Sequence, residues 1–271
     1  MNSTTPGFFA SLILPAFTLW QREVTRFLRQ RNRAIGALGT PLVFWFVIGS
    51  GMGTSVAVPG ATQGFTYMQY FFPGTLLLII LFTAIFSTIS IIEDRREGFL
   101  QSVLAAPVSR SAIVLGKLLG GATLSLIQGL LFLAVAPLAG VPIAWSAVLP
   151  LAAIMFLVGF GLTGLGYLLA WPLDSTAGFH ALMNLVLMPL WLLSGALFPP
   201  DGAWSWVKAF ILVNPLHYGL AALSHLLFGD AVTPPAAQPD FIFSLNILAL
   251  FAVVVVALCS WLTTRVRGKN P

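Results

Sequence analysis

Five consecutive ionisable side chains, Glu93, Asp94, Arg95, Arg96 and Glu97, stand between two long apolar runs. Carboxylates and guanidiniums in such a row make charge-assisted contacts with another surface. They lack the nucleophile and base of a covalent catalyst. Asp94 and Glu97 have the spacing of a helix N-cap and its reciprocal partner three residues on. After Gly98, the residues Phe99, Leu100, Val103 and Leu104 share one helical face, and Pro107 ends the helix they predict. Ser109 or Ser111, beside Arg110, is then placed to cap the next helix. The stretch predicts a short, rigid helix with a charged start and an apolar contact face, read by a partner protein in the water phase.

The other polar groups exclude more than they suggest. His180, His217 and His225 lack companion ligands at metal spacing. Gly116-Lys117 is followed by Leu118, not by the Ser or Thr of a phosphate-binding loop, so if ATP powers this protein another chain binds it. Cys259 is expected to be a small buried apolar residue. Ser125, Gln128, Thr163 and Asn184 fall inside apolar runs and read as interhelical hydrogen-bonding groups, and Gly159, Gly161, Gly164 and Gly166 as a close-packing face. All eight acidic residues fall outside the expected span interiors, whereas ion-coupled carriers place ionisable groups near the midplane. Lys117 is expected to snorkel back to the membrane surface. The chain is therefore expected to be neither an enzyme nor a holder of its own metal or cofactor.

These groups sit in a chain that is 58% hydrophobic and 8% charged, against roughly 25% charged in soluble domains. The expected fold is all-α and polytopic. Six runs approach the roughly 20 residues that cross a bilayer: Ala34 to Gly53, Met68 to Ile92, Ala112 to Leu138, Ala147 to Trp171, Ala181 to Phe198, and Phe241 to Thr264. The fifth is the shortest and is expected to end in a broken turn at Ser194-Gly195. Before them, from Phe8 to Arg33, Ile13, Phe17, Trp20, Val24 and Phe27 alternate by helical steps with Arg22, Arg26, Arg29 and Arg33 opposite. That pattern predicts an amphipathic helix in the headgroup layer. The arginines follow the first apolar residues, so no cleaved signal is expected and the mature chain is expected to begin near Met1.

Of thirteen basic residues, all but Lys208 fall on one side of the six spans. The positive-inside rule assigns that side, with both termini, to the cytoplasm, and a net charge of +5 distributed this way does not point to nucleic acid. Between the fifth and sixth spans, Trp204, Trp206, Phe210, Tyr218 and Phe228 are too apolar for a solvated loop, and prolines divide the segment. Short re-entrant helices in the outer leaflet are expected there. The result is one domain over 1–271: an interface helix over 1–33, a six-span bundle over 34–264, and a cytoplasmic tail over 265–271.

Two segments resemble a known family. Arg96-Glu97-Gly98-Phe99-Leu100, then Ala105-Ala106-Pro107-Val108-Ser109-Arg110 and Leu115-Gly116-Lys117, are similar to the membrane subunits of ABC type-2 exporters, the group of daunorubicin-resistance and nodulation-factor export permeases. Leu193-Ser194-Gly195-Ala196-Leu197-Phe198-Pro199, with Asn214-Pro215-Leu216-His217-Tyr218, is similar to that family's outer re-entrant segment. Where many members carry an acid and an Arg soon after the Asn-Pro-Leu motif, this chain has Ala221 and Ser224, with His225 adjacent. The resemblance implies a bacterial inner-membrane permease, paired with a second copy and with cytoplasmic ATP-binding subunits that hold ATP and magnesium. It also implies that Asp94 to Ala106 and the interface helix, with Trp20, Arg22, Arg26 and Arg29, dock on that ATPase. The alternative is a secondary transporter or channel that works without ATP.

Overall fold

The computed structural model describes residues 9–53, 64–198, 200–229 and 238–265. Every regular element among them is helical. A π-helical turn, Phe9–Ile13, leads into α1 (Leu14–Arg29), and α2 (Arg31–Met52) follows after a break at Gln30. The expected amphipathic helix therefore ends at Arg29, and the arginines beyond it open the first span. Its apolar side is turned outward at Ile13, Phe17 and Leu28, while Ala16, Leu19 and Phe27 are buried.

At the centre lies α3 (Tyr67–Ser87), whose side chains are buried on nearly every face. A helix apolar all round belongs in a core, and α2, α6 (Arg110–Leu133), α7 (Trp145–Ala170) and α10 (Pro215–Phe228) pack around it. Thr66 and Gln69 cap its start reciprocally. At Ser87-Thr88 the helix breaks: the Ser87 hydroxyl turns back to Ala84 O and that of Thr88 to Ile85 O. The chain then resumes as α4 (Ile89–Arg96). Finally α11 (Phe241–Arg265) closes the bundle against α7, α10 and α6.

Small residues let these helices approach. A Cβ on Gly161 would meet the Phe251 ring at 2.7 Å, and one on Gly166 would meet Thr88 Oγ1 at 2.8 Å. Gly159 and Gly164 lie tighter still, against Ser125 and Val255. The expected packing face is thus shared between α6, α11 and the break after α3. Thr163 bonds within its own helix to Gly159 O, and Ser125 to Ala122 O. Thr83 reaches across to Gln128 at 3.4 Å, whereas Asn184 is exposed.

Among the described residues, five helices are long and apolar enough to cross a membrane, and a sixth span arises if the bent pair α9 (Ser205–Val213) and α10 counts as one. The expected fifth span is shorter than its apolar run: α8 is Thr176–Leu192, 17 residues, at the lower limit for crossing. The chain turns at Leu193 to Gly195, where Gly195 adopts φ +91°, a backbone conformation that a Cβ disfavours. The outward faces of α2 and α11, carrying Ile35, Val43, Phe46, Val47, Leu250, Val253 and Leu258, are exposed. Apolar bands of this extent suit lipid, not water.

Candidate functional site

The charged stretch folds as an elbow at the arginine-rich end of the bundle. Glu93 to Arg96 finish α4, Gly98 turns the chain at φ +77°, and α5 (Phe99–Ala105) follows. Here the expected capping box is corrected. Gly98, not Asp94, precedes α5, and no side chain caps that helix. Asp94 instead lies inside α4 and is fully buried.

Its burial is explained by partners distant in sequence. Asp94 accepts from Arg22 at 2.6 and 3.1 Å, from Arg26 at 2.6 Å and from Lys117 at 2.5 Å. Lys117 also donates to Glu23 Oε1 at 2.6 Å and Ser90 Oγ at 3.0 Å, and Ser90 donates to Glu23 Oε2 at 2.6 Å. On the outer side Arg26 pairs with Glu93 at 2.9 Å and Glu97 at 3.1 Å. Burial opposes the charge of Arg22, but Asp94, with Glu23 and Glu97 nearby, more than compensates and holds its pKa above the ordinary value. Three helices, α1, α4 and α6, thus meet in one compensated ionic hub.

Two expectations change with it. Lys117 does not snorkel; it is buried and paired. Glu23 and Asp94 are not solvated carboxylates beside the membrane but buried ones. A sequence signal for both existed, since Glu23 is the sole acid among the arginines of α1 and Lys117 the sole cation inside the apolar body of α6. Their partners lie 23 to 94 residues away, and no local spacing shows that.

The next residue, Arg95, ties α4 to the opposite side. It donates to the carbonyls of Trp171 and Leu173, the latter at 3.0 Å, pairs with Asp174 at 3.0 Å, and lies over the Trp171 ring. Those carbonyls end α7, where a cation is favourable. Trp20 joins α1 to α6 through Thr123 at 3.0 Å, and Arg29 is exposed.

The apolar face of α5 is used in part within this chain. Leu100 is buried in this chain's own core, and Phe99, Val103 and Leu104 pack partly against it, with the Arg22 guanidinium 3.7 Å over the Phe99 ring. What α5 turns outward is Gln101, Ser102, Ala105, Ala106 and Pro107, continuous with exposed Arg96 and Glu97. Ser109 caps α6 by accepting from Ala112 N at 3.2 Å, and its own amide bonds to Ser11 O at 3.1 Å. Arg110 then opens α6.

At the far end, the second predicted cluster assembles around Asn214, which starts α10 after a 78° bend from α9. Its Oδ1 accepts from Leu216 N at 3.0 Å, while Nδ2 donates to Leu190 O at 2.5 Å and Leu193 O at 2.8 Å. One side chain therefore caps α10 and closes the end of α8, and Pro215 occupies the first helical position, where its missing N–H is tolerated. His217 Nδ1 lies 2.9 Å from Ser194 O, and Tyr218 donates to Leu212 O at 2.7 Å. Tyr70 donates to Gly195 O at 3.0 Å and Tyr67 to Leu197 O at 2.9 Å, pinning the turn to α3. Phe198 is exposed, and Pro199 lies outside the described residues.

Asn214→Asp keeps the cap but sets a carboxylate against two carbonyls. We expect that variant to lower stability in detergent by roughly 2 kcal/mol or more, and Asn214→Ser, which retains only a cap, by less. Equal losses in thermal unfolding would show that the carboxylate set against the two carbonyls adds no cost.

The fold defines a polytopic α-helical membrane protein whose conspicuous surface is a charged elbow at one end of the bundle. Residues 16–228 match the ABC-2 type transporter family, and the chain belongs to it. It is 24% identical over 242 residues to nodulation protein J of Rhizobium leguminosarum bv. viciae, covering 87% of this chain and 88% of that one. Over 257 residues it is 24% identical to the inner membrane transport permease YadH of Escherichia coli K12, covering 93% and 95%. The chain is therefore a transport permease subunit of the ABC-2 class. Of its histidines, His217 and His225 each bond to a carbonyl.

Proposed function

We propose that this chain is the transmembrane subunit of an ATP-driven exporter, with the α4 to α5 elbow as its contact to a separate cytoplasmic ATP-binding subunit. The observation that carries this reading is the elbow itself. It presents an exposed face, Arg96, Glu97, Gln101, Ser102 and Ala105 to Pro107, yet its root is fastened by Asp94 and Arg95 to α1, α6 and the end of α7. A solvated loop needs no such anchorage; a lever does. ATP and magnesium belong to the partner. The arginine-rich end faces the cytoplasm of a bacterial inner membrane, and both termini lie on that side.

A second copy completes the unit. Asn184 is exposed on apolar α8, and an amide facing hydrocarbon is best satisfied by another helix. Between α2, α3, α8 and the start of α4 lies a cavity of about 360 Å³ walled by Pro41, Phe82, Phe86 and Ile89, with Thr40 and His180 its polar groups. Such a lining suits a hydrophobic or amphipathic cargo: a drug, a lipid-linked saccharide or a complex saccharide.

Glu23 and Asp94, buried acids inside the bundle, raise the reading of an ion-coupled carrier. Lys117, Arg22 and Arg26 neutralise both, at the bundle end and not at its middle, which removes that argument. Mild detergent extraction is expected to co-purify a chain that binds ATP. Recovery of the permease with no nucleotide-binding chain, from membranes that still transport, would overturn the proposal. Arg96→Glu with Glu97→Lys should leave insertion intact and markedly reduce export per ATP hydrolysed. Equal export by that variant would remove the elbow from the mechanism.

A further inference from the structure

Lys117 has a role that its burial alone does not explain. Its side chain is 4% exposed, and its three partners lie on two elements: Glu23 on α1, and Ser90 and Asp94 on α4. The first of these elements is fixed to α6 without any charge. A Cβ on Gly116 would meet Leu19 Cβ at 2.6 Å, one on Gly120 would meet Glu23 Cβ at 2.7 Å, and Trp20 bonds to Thr123. The second is not fixed in this way. Past the break at Ser87-Thr88 it prolongs the α3 span and packs on α7 and α8, and its remaining buried charge contacts run to Arg22 and Arg26 on α1. Among the described residues, Lys117 is the one cation of α6 that pairs with α4.

A buried ammonium between two carboxylates resists displacement more than an apolar contact does. Apolar side chains can slide and stay buried, whereas a cation pulled from its partners is left desolvated and unpaired. Arg22 and Arg26, reaching in from the more exposed side, tie α4 to α1 and reach α6 only through the uncharged contacts of α1, whereas Lys117 ties α4 to α6 directly. We infer that Lys117 is a positioning residue that makes the elbow and the third span, α6, move as one body when the elbow is pushed. This inference rests on the reading of the elbow as the ATPase contact.

Two measurements on the permease with its ATP-binding subunit test it. Glu23→Gln with Lys117→Met removes one charge of each sign and leaves Asp94 with Arg22 and Arg26. Transport per ATP hydrolysed is expected to fall about tenfold, with partial recovery in Lys117→Arg, which restores the cation. An unchanged ratio overturns the joint. In the otherwise native chain with Cys259→Ala, spin labels at Ser102→Cys on α5 and Ser111→Cys on α6, both exposed, report the same point without altering the hub, in labelled complexes shown first to keep ATP-dependent transport because Ser102 lies on the proposed ATPase contact. Their separation is expected to stay constant on ATP binding while the distance between the Ser102 labels of two copies shifts. A change of about 5 Å, one helical turn, between Ser102 and Ser111 overturns the inference even if the double variant fails to assemble. Absence of ATP-dependent transport in the native complex overturns the underlying reading instead.

Discussion

Asp94→Ala is expected to destabilise the bundle by roughly 3–5 kcal/mol, the range for removing one partner of a buried ion pair. The carboxylate is fully buried and accepts from three cations on two helices. Without it, Arg22, Arg26 and Lys117 are left with Glu23, Glu93 and Glu97, two of which lie on the exposed side. Alanine also leaves room that no neighbour of the right polarity fills. Asp94→Asn keeps the shape and should fall between the two, because an amide cannot accept from three cations and brings donors toward them. The check is the temperature at which the purified chain loses its monodisperse peak in mild detergent. Equal midpoints for native chain and Asp94→Ala would show that the hub is solvated and energetically idle.

The second large effect is expected from Gly116→Val. The new Cβ would lie 2.6 Å from Leu19 Cβ and 2.9 Å from the Ala16 carbonyl oxygen. The latter is backbone, so no rotamer change relieves the clash and α1 must lift from α6. Overpacking alone costs about 1–3 kcal/mol, and lifting α1 also withdraws Glu23 from Lys117. A cysteine at Leu19, which is 7% exposed, should therefore change from protected to reactive toward a soluble thiol reagent in a Cys259→Ala background. Gly39→Val is the control: nothing lies within 4 Å of a Cβ there, and protection should be unchanged. Protection retained in Gly116→Val would mean that α1 is not seated through its glycine contacts.

Hydrophobic patterning made most of the bundle legible, because a helix that crosses lipid must be apolar along its whole length. That constraint marks α2, α3, α6, α7 and α11 within a few residues. It marks α8 less well at its start, which lies at Thr176 and not Ala181, while the broken turn expected at Ser194-Gly195 is where the backbone turns. The motif at Asn214 was legible only through its family resemblance; that Asn214 caps α10 and also bonds two α8 carbonyls depends on how the helices meet. The elbow was found as an anomaly of charge and partly misread for the same reason. Asp94 and Glu97 satisfy a local capping rule, and the longer-range pairing with Arg22, Arg26 and Lys117 prevails over it, since a buried carboxylate gains more from three cations than from one amide. Gly116 and Gly120, four residues apart in α6, were a small-residue signal for a close helix partner.

The claim on which the rest depends is that force enters through the elbow from an ATP-driven partner. It is tested most directly by reconstituting the permease with its ATP-binding subunit in vesicles and measuring cargo movement with ATP, with an ion gradient alone, and with the Arg96→Glu, Glu97→Lys variant. Movement that requires ATP, is indifferent to the gradient, and is lost in the variant while the complex stays assembled is the expected result. Movement driven by the gradient without ATP, or undiminished in the variant, would contradict it.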